Sequence, residues 1–383
     1  MKILITGASG FLGKHVVAEA IRKGHQVRAV IRPSTDEKSI IWHNHPSVEL
    51  SRIDLRRKSG ITDALKDIDG VIHLAAAKEG DFYTRFAGTV IGTENLLDAM
   101  VKVGVLRLVC ISSFAVFDYN NIPKGSTIHE DSPQETNPLL REEYAQTKLI
   151  QEKLVYEFEE THKAQVTIIR PALIYGRNNL WSTLLGGRLT DNLWLRIGAH
   201  ATMPLTYVEN CAEAIILAVE SKEAIGQTIN VIDDNLPTQR TYVKKLKKRT
   251  NALPKMIPVN WTLMRSIAVL MWAYNQKFLK GQAKFPGIFY PGTLDTRFKH
   301  FRFSNARAKN ILNWTPKYSL DTALDISCRE VEFIDIPNST LPLYPSPSQQ
   351  LDISNQEVKS NIPSLINSPI PSPIPQVSTN SNS

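Results

Sequence analysis

Tyr144 and Lys148 stand four residues apart in the segment Tyr144-Ala145-Gln146-Thr147-Lys148. On a helix that spacing puts both side chains on one face, so a phenol and an ammonium can address one site. A free tyrosine titrates at about 10, and a nearby cation favours its phenolate. Such a phenol can give or take a proton while a nicotinamide carries the hydride. Upstream, Ser112-Ser113 closes an apolar run. A hydroxyl there can hydrogen-bond a substrate oxygen as charge develops on it. A Tyr–Lys pair at this spacing is common by chance, so it gains meaning only beside a cofactor site in the same chain.

Thr6-Gly7-Ala8-Ser9-Gly10-Phe11-Leu12-Gly13 offers that site. It follows an apolar run and opens a helical pattern. Gly7 permits a tight turn, Gly10 lets backbone approach a pyrophosphate, and Gly13 lets helix and strand pack closely. The N–H groups of Ser9, Gly10, Phe11 and Leu12, with the helix dipole, then hold the anion. Cofactor choice falls to the end of the second strand, where an acid would bind the ribose 2′-OH of NAD. Gly24-His25-Gln26-Val27-Arg28-Ala29-Val30-Ile31-Arg32-Pro33 contains no acid there, and Arg32 is available. A guanidinium suits a 2′-phosphate, so NADP(H) is favoured over NAD(H). Asp54, beside Leu55, follows a third strand pattern; it can bond the adenine amino group or cap a helix.

These residues need a rigid frame. Residues 1–175 alternate strand-like runs (Ile3 to Thr6, Gln26 to Ile31, Gly70 to Leu74, Leu106 to Ser112, Val166 to Arg170) with helical stretches (Gly13 to Lys23, Gly92 to Val103, Tyr144 to His162). That alternation predicts an α/β Rossmann architecture with a doubly wound parallel sheet. Gly24 fits the stop of the first helix. Residues 176–337 read as a substrate-binding region interleaved with late core elements, including a helix from Val208 to Ser221. Residues 338–383 are rich in Ser, Pro, Asn and Gln and predict a disordered tail.

The chain has 383 residues and a net charge of +8. Between Arg240 and Asn310 lie sixteen Lys or Arg against one acid, Asp295, so that window carries +15 and the rest −7. Inside it, Trp261 to Tyr274 is apolar but too short and too charged to span a bilayer. Basic residues beside an apolar aromatic helix suit an anionic membrane surface; a helix buried in the substrate region with a basic exterior explains the pattern equally well. Cys110, Cys211 and Cys328 show neither metal-ligand nor disulfide spacing. They read as buried small hydrophobes in a reducing cytoplasm. Met1-Lys2 leads straight into a strand, with no targeting segment. No nucleic-acid motif is present, and the sequence leaves monomer or homodimer open.

Taken together, TGASGFLG (6–13), VIHLAA (71–76), ISSFAVF (111–117), YAQTK (144–148) and RPALIYG (170–176) resemble the extended short-chain dehydrogenase/reductases, the NAD-dependent epimerase/dehydratase family. FRFSNARAKNILNWTPKYSL (301–320) resembles its C-terminal signature. The resemblance covers about residues 1–330. It implies Tyr144 as acid/base, Lys148 on the nicotinamide ribose, and Ser113 rather than Ser112 as the substrate serine. It implies Leu74, Ala75 and Ala76 along the cofactor, and Arg170-Pro171 at the start of the loop over the nicotinamide. One departure stands out: Thr89 occupies a position where the family often has an Asn that supports a proton relay through the lysine.

For the substrate, Met203 stands where sugar-nucleotide epimerases of the family carry an arginine for a nucleotide phosphate. Tyr207-Val208-Glu209-Asn210 instead resembles the 3β-hydroxysteroid dehydrogenase branch, and Val27 to Pro33 resembles dihydroflavonol-reductase-like members. Three readings stay open: an oxidoreductase of a hydrophobic ring alcohol or ketone, a nucleotide-sugar epimerase or dehydratase with retained cofactor, and a non-catalytic NADP-sensing protein. The Tyr–Lys pair argues against the third.

Overall fold

The computed structural model describes residues 1–337 other than 139–140, 191–192, 251–253, 281, 283–288 and 330–333. The tail expected at 338–383 lies outside the described residues.

Seven strands form the central sheet: β1 (Lys2–Thr6), β2 (Gln26–Ile31), β3 (Val48–Arg52), β4 (Gly70–His73), β5 (Arg107–Ile111), β6 (Gln165–Pro171) and β7 (Gln227–Val231). Their spatial order is β7-β6-β5-β4-β1-β2-β3, and every neighbouring pair is parallel. Successive strand residues point to opposite faces, and both faces are apolar. Ile3 and Ile5 join the core layer that holds α1 (Phe11–Arg22) and α4 (Val208–Glu220). Leu4 joins the opposite layer, with α2 (Gly92–Val103) and α3 (Glu143–His162). Coverage on both sides is what a parallel sheet requires.

The doubly wound sheet is as the strand–helix alternation predicts. Boundaries move by a residue or two, chiefly at α1, which begins at Phe11 rather than Gly13 because Gly10 already serves as its N-cap. Gly24 does end α1: it sits at φ +76° and its N–H reaches the Ile21 carbonyl at 2.9 Å. The chain after residue 175 returns to the main sheet through β7. It also builds a small sheet from Gly187–Thr190, Leu193–Ile197 and Lys255–Val259.

Two helices, α5 (Trp261–Phe278) and α6 (Pro291–Phe298), pack against each other in the basic window. The window is not one free cationic face. Lys245 and Arg249 pair with Asp321 and Asp325, Arg265 with Asp295, Arg297 with Glu142, Arg307 with Asp131, and Lys309 with Asp234. Lys244, Lys247, Lys248, Lys277 and Lys280 are exposed. Cys110 and Cys211 are buried as expected, whereas Cys328 is only half-buried, at the end of a surface helix.

Candidate active site

The turn between β1 and α1 is built by what glycine lacks. Gly7 has φ +68°, and a Cβ on it would lie 2.9 Å from the Ala75 amide nitrogen. A Cβ on Gly13 would lie 2.2 Å from the Gly7 carbonyl oxygen. No side chain larger than hydrogen fits either place. The Thr6 hydroxyl accepts from the Ala75 N–H at 3.2 Å, so this turn and the end of β4 form one wall. Ser9, Phe11, Leu12, Leu74, Ala75 and Ala76 are half-buried along it, and Gly10 is exposed. No acid occupies the first turn of α1. A close backbone approach at an acid-free helix N-terminus fits a dinucleotide pyrophosphate. Gly13→Ala is expected to weaken nicotinamide dinucleotide binding at least tenfold, because the methyl must push the turn out of register. Titration of intrinsic tryptophan fluorescence with the cofactor checks this.

Arg32 lies just past β2 and is exposed. Asp54, two residues past β3, is engaged by Arg56 through Nε at 2.9 Å and Nη2 at 2.6 Å. That bond holds its carboxyl below the ordinary range. The Leu55 carbonyl accepts from Asn95 at 2.9 Å, which ties the loop after β3 to α2.

Tyr144 sits in the first turn of α3, half-buried, with Ser113 beside its phenol. Ser113 also caps the short turn Phe114–Val116 by accepting from the Ala115 N–H at 3.2 Å. Ser112 Oγ is buried with no hydrogen-bond partner. Of the two serines, Ser113 is the one beside the phenol. Lys148, one turn along α3, is 3% exposed. Its Nζ donates to the Ile111 carbonyl at 2.7 Å and to Gln151 Oε1 at 2.8 Å. Burial pulls this ammonium down to about 8, with the nearby Lys78 adding to the shift. The expected lowering of the Tyr144 phenol by Lys148 is not what the structure shows. Burial pushes the phenol up, and Ser113 is the group that opposes the push.

The sequence does not single out the side chains behind Lys148. Gln151 donates to Thr93 Oγ1 at 2.9 Å, and Thr93 meets His73 Nε2 at 2.9 Å. His73 Nδ1 meets Thr6 Oγ1 at 2.7 Å. The spacing from Lys148 to Gln151, three residues on one helix, is the only signal that could have found this chain. Thr89 lies in a π-helical turn, Ala87–Ile91. Its hydroxyl accepts from the Ala77 N–H at 3.1 Å.

Arg170 and Pro171 end β6. Arg170 binds Glu152 of α3 through two bonds, 2.9 and 2.7 Å, with both side chains nearly sealed from solvent. Glu209 pins α4 to α1: against the upward push of burial, His15 and Arg22 hold its carboxyl low. Asn210 Nδ2 donates to Asp233 and to the Tyr318 carbonyl, each at 3.0 Å. The Tyr207–Asn210 segment therefore joins core elements, linking the sheet to the 301–320 segment.

A parallel doubly wound sheet with a glycine turn at β1 and a Tyr–Lys helix beside β5 defines a Rossmann-type nicotinamide oxidoreductase of the short-chain class. Residues 3–231 match the model of the NAD dependent epimerase/dehydratase family. The chain belongs to the NAD-dependent epimerase/dehydratase family and is an oxidoreductase of it. It is 32% identical to sterol demethylase protein B of Methylococcus capsulatus over 73% of this chain and 83% of that protein. It is 25% identical to the decarboxylating sterol-4-alpha-carboxylate 3-dehydrogenase of Dictyostelium discoideum, over 84% of this chain and 98% of that one. The fold resembles that of UDP-glucuronic acid 4-epimerase from Bacillus cereus in complex with NAD. The TM-score is 0.64 at 21% identity, covering 86% of this chain and 97% of that one.

Proposed function

We propose that this protein reduces a ketone, or oxidises the corresponding secondary alcohol, on a hydrophobic ring substrate such as a sterol. The nicotinamide supplies or removes the hydride. Tyr144 Oη gives or takes the proton, Ser113 holds the substrate oxygen, and Lys148 anchors the cofactor ribose. Residues 1–175 serve as the cofactor core and 176–337 as the substrate side. The observation that carries the reading is that Tyr144 lies beside Ser113, the side chain that opposes the upward push on its phenol, with Lys148 one turn away on the same helix.

The substrate class rests on apolar lining and on the relatives. Met203 is packed with Tyr175, Leu205 and Tyr207 and brings no charge to the loop where a nucleotide phosphate would need one. Trp181 and Trp194 pair nearby in sequence, with ring centroids 6.0 Å apart. Two relatives are named for sterol chemistry. Arg32, exposed at the end of β2 with no acid in that strand, supports NADP(H) over NAD(H). Steady oxidation of free NADPH with a 3-ketosteroid is the expected result. Net-zero cofactor turnover with a UDP-sugar would replace this reading by that of an epimerase. Arg32→Asp is expected to shift the NADPH-to-NADH preference at least tenfold towards NADH, read as the ratio of kcat/KM values.

Access to such a substrate supports contact with an anionic membrane at the cytoplasmic face. Among the described residues no helix is long and apolar enough to cross a membrane. Yet α5 presents Leu263, Ile267, Leu270, Tyr274 and Phe278 at helical spacing, Leu270 being 70% and Phe278 62% exposed. The helix carries no acid, and Lys277 and Lys280 flank its end. Its partner α6 reaches Glu142, at the start of the catalytic helix, through Arg297 at 2.7 Å. An apolar stripe edged by lysine suits adsorption to anionic lipid. Co-sedimentation with phosphatidylserine vesicles at low salt is expected, and Leu270→Glu should abolish it. A failure of the unaltered protein to sediment would remove this contact, and a homodimer through α5 would then be sought by light scattering.

A further inference from the structure

We propose that Gln151 is the positioning residue of Lys148, fixing the direction of its ammonium from the same helix. The inference rests on the reading of Lys148 as the lysine of a nicotinamide site. It follows from accounting for every proton in a buried row of side chains. Lys148 is 3% exposed, His73 1%, and Gln151, Thr93 and Thr6 are fully buried, so each polar atom must find its partner inside the protein.

A lysine ammonium only donates. The Gln151 atom facing Lys148 must therefore be the carbonyl oxygen, and its NH₂ must face Thr93. The Thr93 hydroxyl has one proton, and the Thr89 carbonyl takes it at 2.6 Å. Thr93 Oγ1 can then only accept, from Gln151 Nε2 and from His73 Nε2. That assigns the His73 proton to Nε2 and leaves Nδ1 to accept from the Thr6 hydroxyl. Thr6 in turn accepts from the Ala75 N–H. This assignment accounts for every hydrogen bond of the row; the third ammonium proton and the second Gln151 amide proton lie outside it. The Gln151 amide can therefore not turn over without losing two bonds.

Two consequences follow. With Ile111 O and Gln151 Oε1 taking two ammonium protons, the direction of the third is fixed by the tetrahedral nitrogen. The row is also a dead end for protons. Thr93 gives its proton to a backbone carbonyl, and His73 stays neutral because burial pulls it down to about 3. It orients Lys148 and does not connect it to solvent. Thr89, lacking an amide, contributes only by holding Thr93 through its carbonyl in the π-helical turn.

The test uses the full-length, cofactor-free protein. The Lys148 titration is read by NMR of ¹³C-labelled lysine, and NADPH affinity by tryptophan fluorescence. Gln151→Glu places a carboxylate against the ammonium and should raise the Lys148 midpoint by about one unit or more. Gln151→Leu keeps the volume, removes the acceptor, and should weaken NADPH binding about tenfold. An unchanged Lys148 midpoint in Gln151→Glu overturns the proposal, whether or not Gln151→Leu folds. Failure of the wider reading shows separately: Tyr144→Phe would then leave turnover untouched, while the Lys148 titration would still report on Gln151.

Discussion

Tyr144→Phe is expected to lower kcat about 10³-fold while leaving NADPH affinity within about twofold. The substitution deletes one oxygen and keeps the ring. Tyr144 is half-buried at the start of α3, and Ser113, not the glycine turn proposed to hold the dinucleotide, is the group that acts on its hydroxyl. Cofactor binding should hardly register the change, whereas proton transfer to the substrate oxygen loses its donor. The pH dependence sharpens the test. In the free protein burial holds the phenol above its ordinary value and Ser113 works against that push. Lys148, pulled down to about 8 by burial, is mostly protonated below that pH. Activity in the oxidative direction needs the phenolate, so it should rise with pH and keep rising past neutrality; the reductive direction uses the neutral phenol, so it should stay level through neutrality and fall only as the pH nears the raised phenol value. Ser113→Ala removes the one side chain that favours the phenolate and should move the oxidative limb to higher pH. A Tyr144→Phe protein with undiminished NADPH oxidation would assign the proton to another group and undo the catalytic reading.

The parts of this site that follow from backbone geometry are legible in the sequence. Gly7 and Gly13 announce a turn because only hydrogen fits where their Cβ atoms would lie, 2.9 Å from the Ala75 nitrogen and 2.2 Å from the Gly7 oxygen. The strands from Ile3 to Thr6 and Gln26 to Ile31 are legible because both faces of a parallel sheet are buried. What the sequence hides is direction. It puts Tyr144 and Lys148 on one helix face but does not show that the ammonium turns back to Ile111 and Gln151. Nor does it show that Lys245, Arg249, Arg265 and Arg307 in the basic window are matched by acids up to about 180 residues away. Such pairings depend on tertiary approach, and a charge count along the chain cannot see them. Gln151 was hidden for a related reason. An amide in mid-helix reads as an ordinary polar surface residue until the packing of α2 against α3 buries it.

Arg170→Met is expected to destabilise the folded protein by about 3–5 kcal/mol, the largest loss of stability anticipated for a single change outside the glycine turn. Both side chains of the Arg170–Glu152 pair are almost fully removed from water, and the guanidinium grips the carboxylate through two bonds. Arg170 also reaches the Glu130 carbonyl at 3.2 Å and lies 5.3 Å from the Phe117 ring centroid. Removing the arginine leaves a carboxylate stranded in the core, and that desolvated charge accounts for most of the cost. The double change Glu152→Leu with Arg170→Met removes both charges, so it should recover more than half of the loss, a non-additivity that urea denaturation can measure. The pair has a second role. Glu152 is one residue past Gln151 and one turn past Lys148, while Arg170 ends β6 beside Pro171. The bond therefore sets the height of α3 against the sheet. If that placement matters, the double variant will be stable yet slow, with kcat reduced at least tenfold while cofactor affinity falls little. If the double variant recovers turnover along with stability, the pair serves the fold alone, and the registration of Tyr144 must come from Ser113 and the Gln151 row.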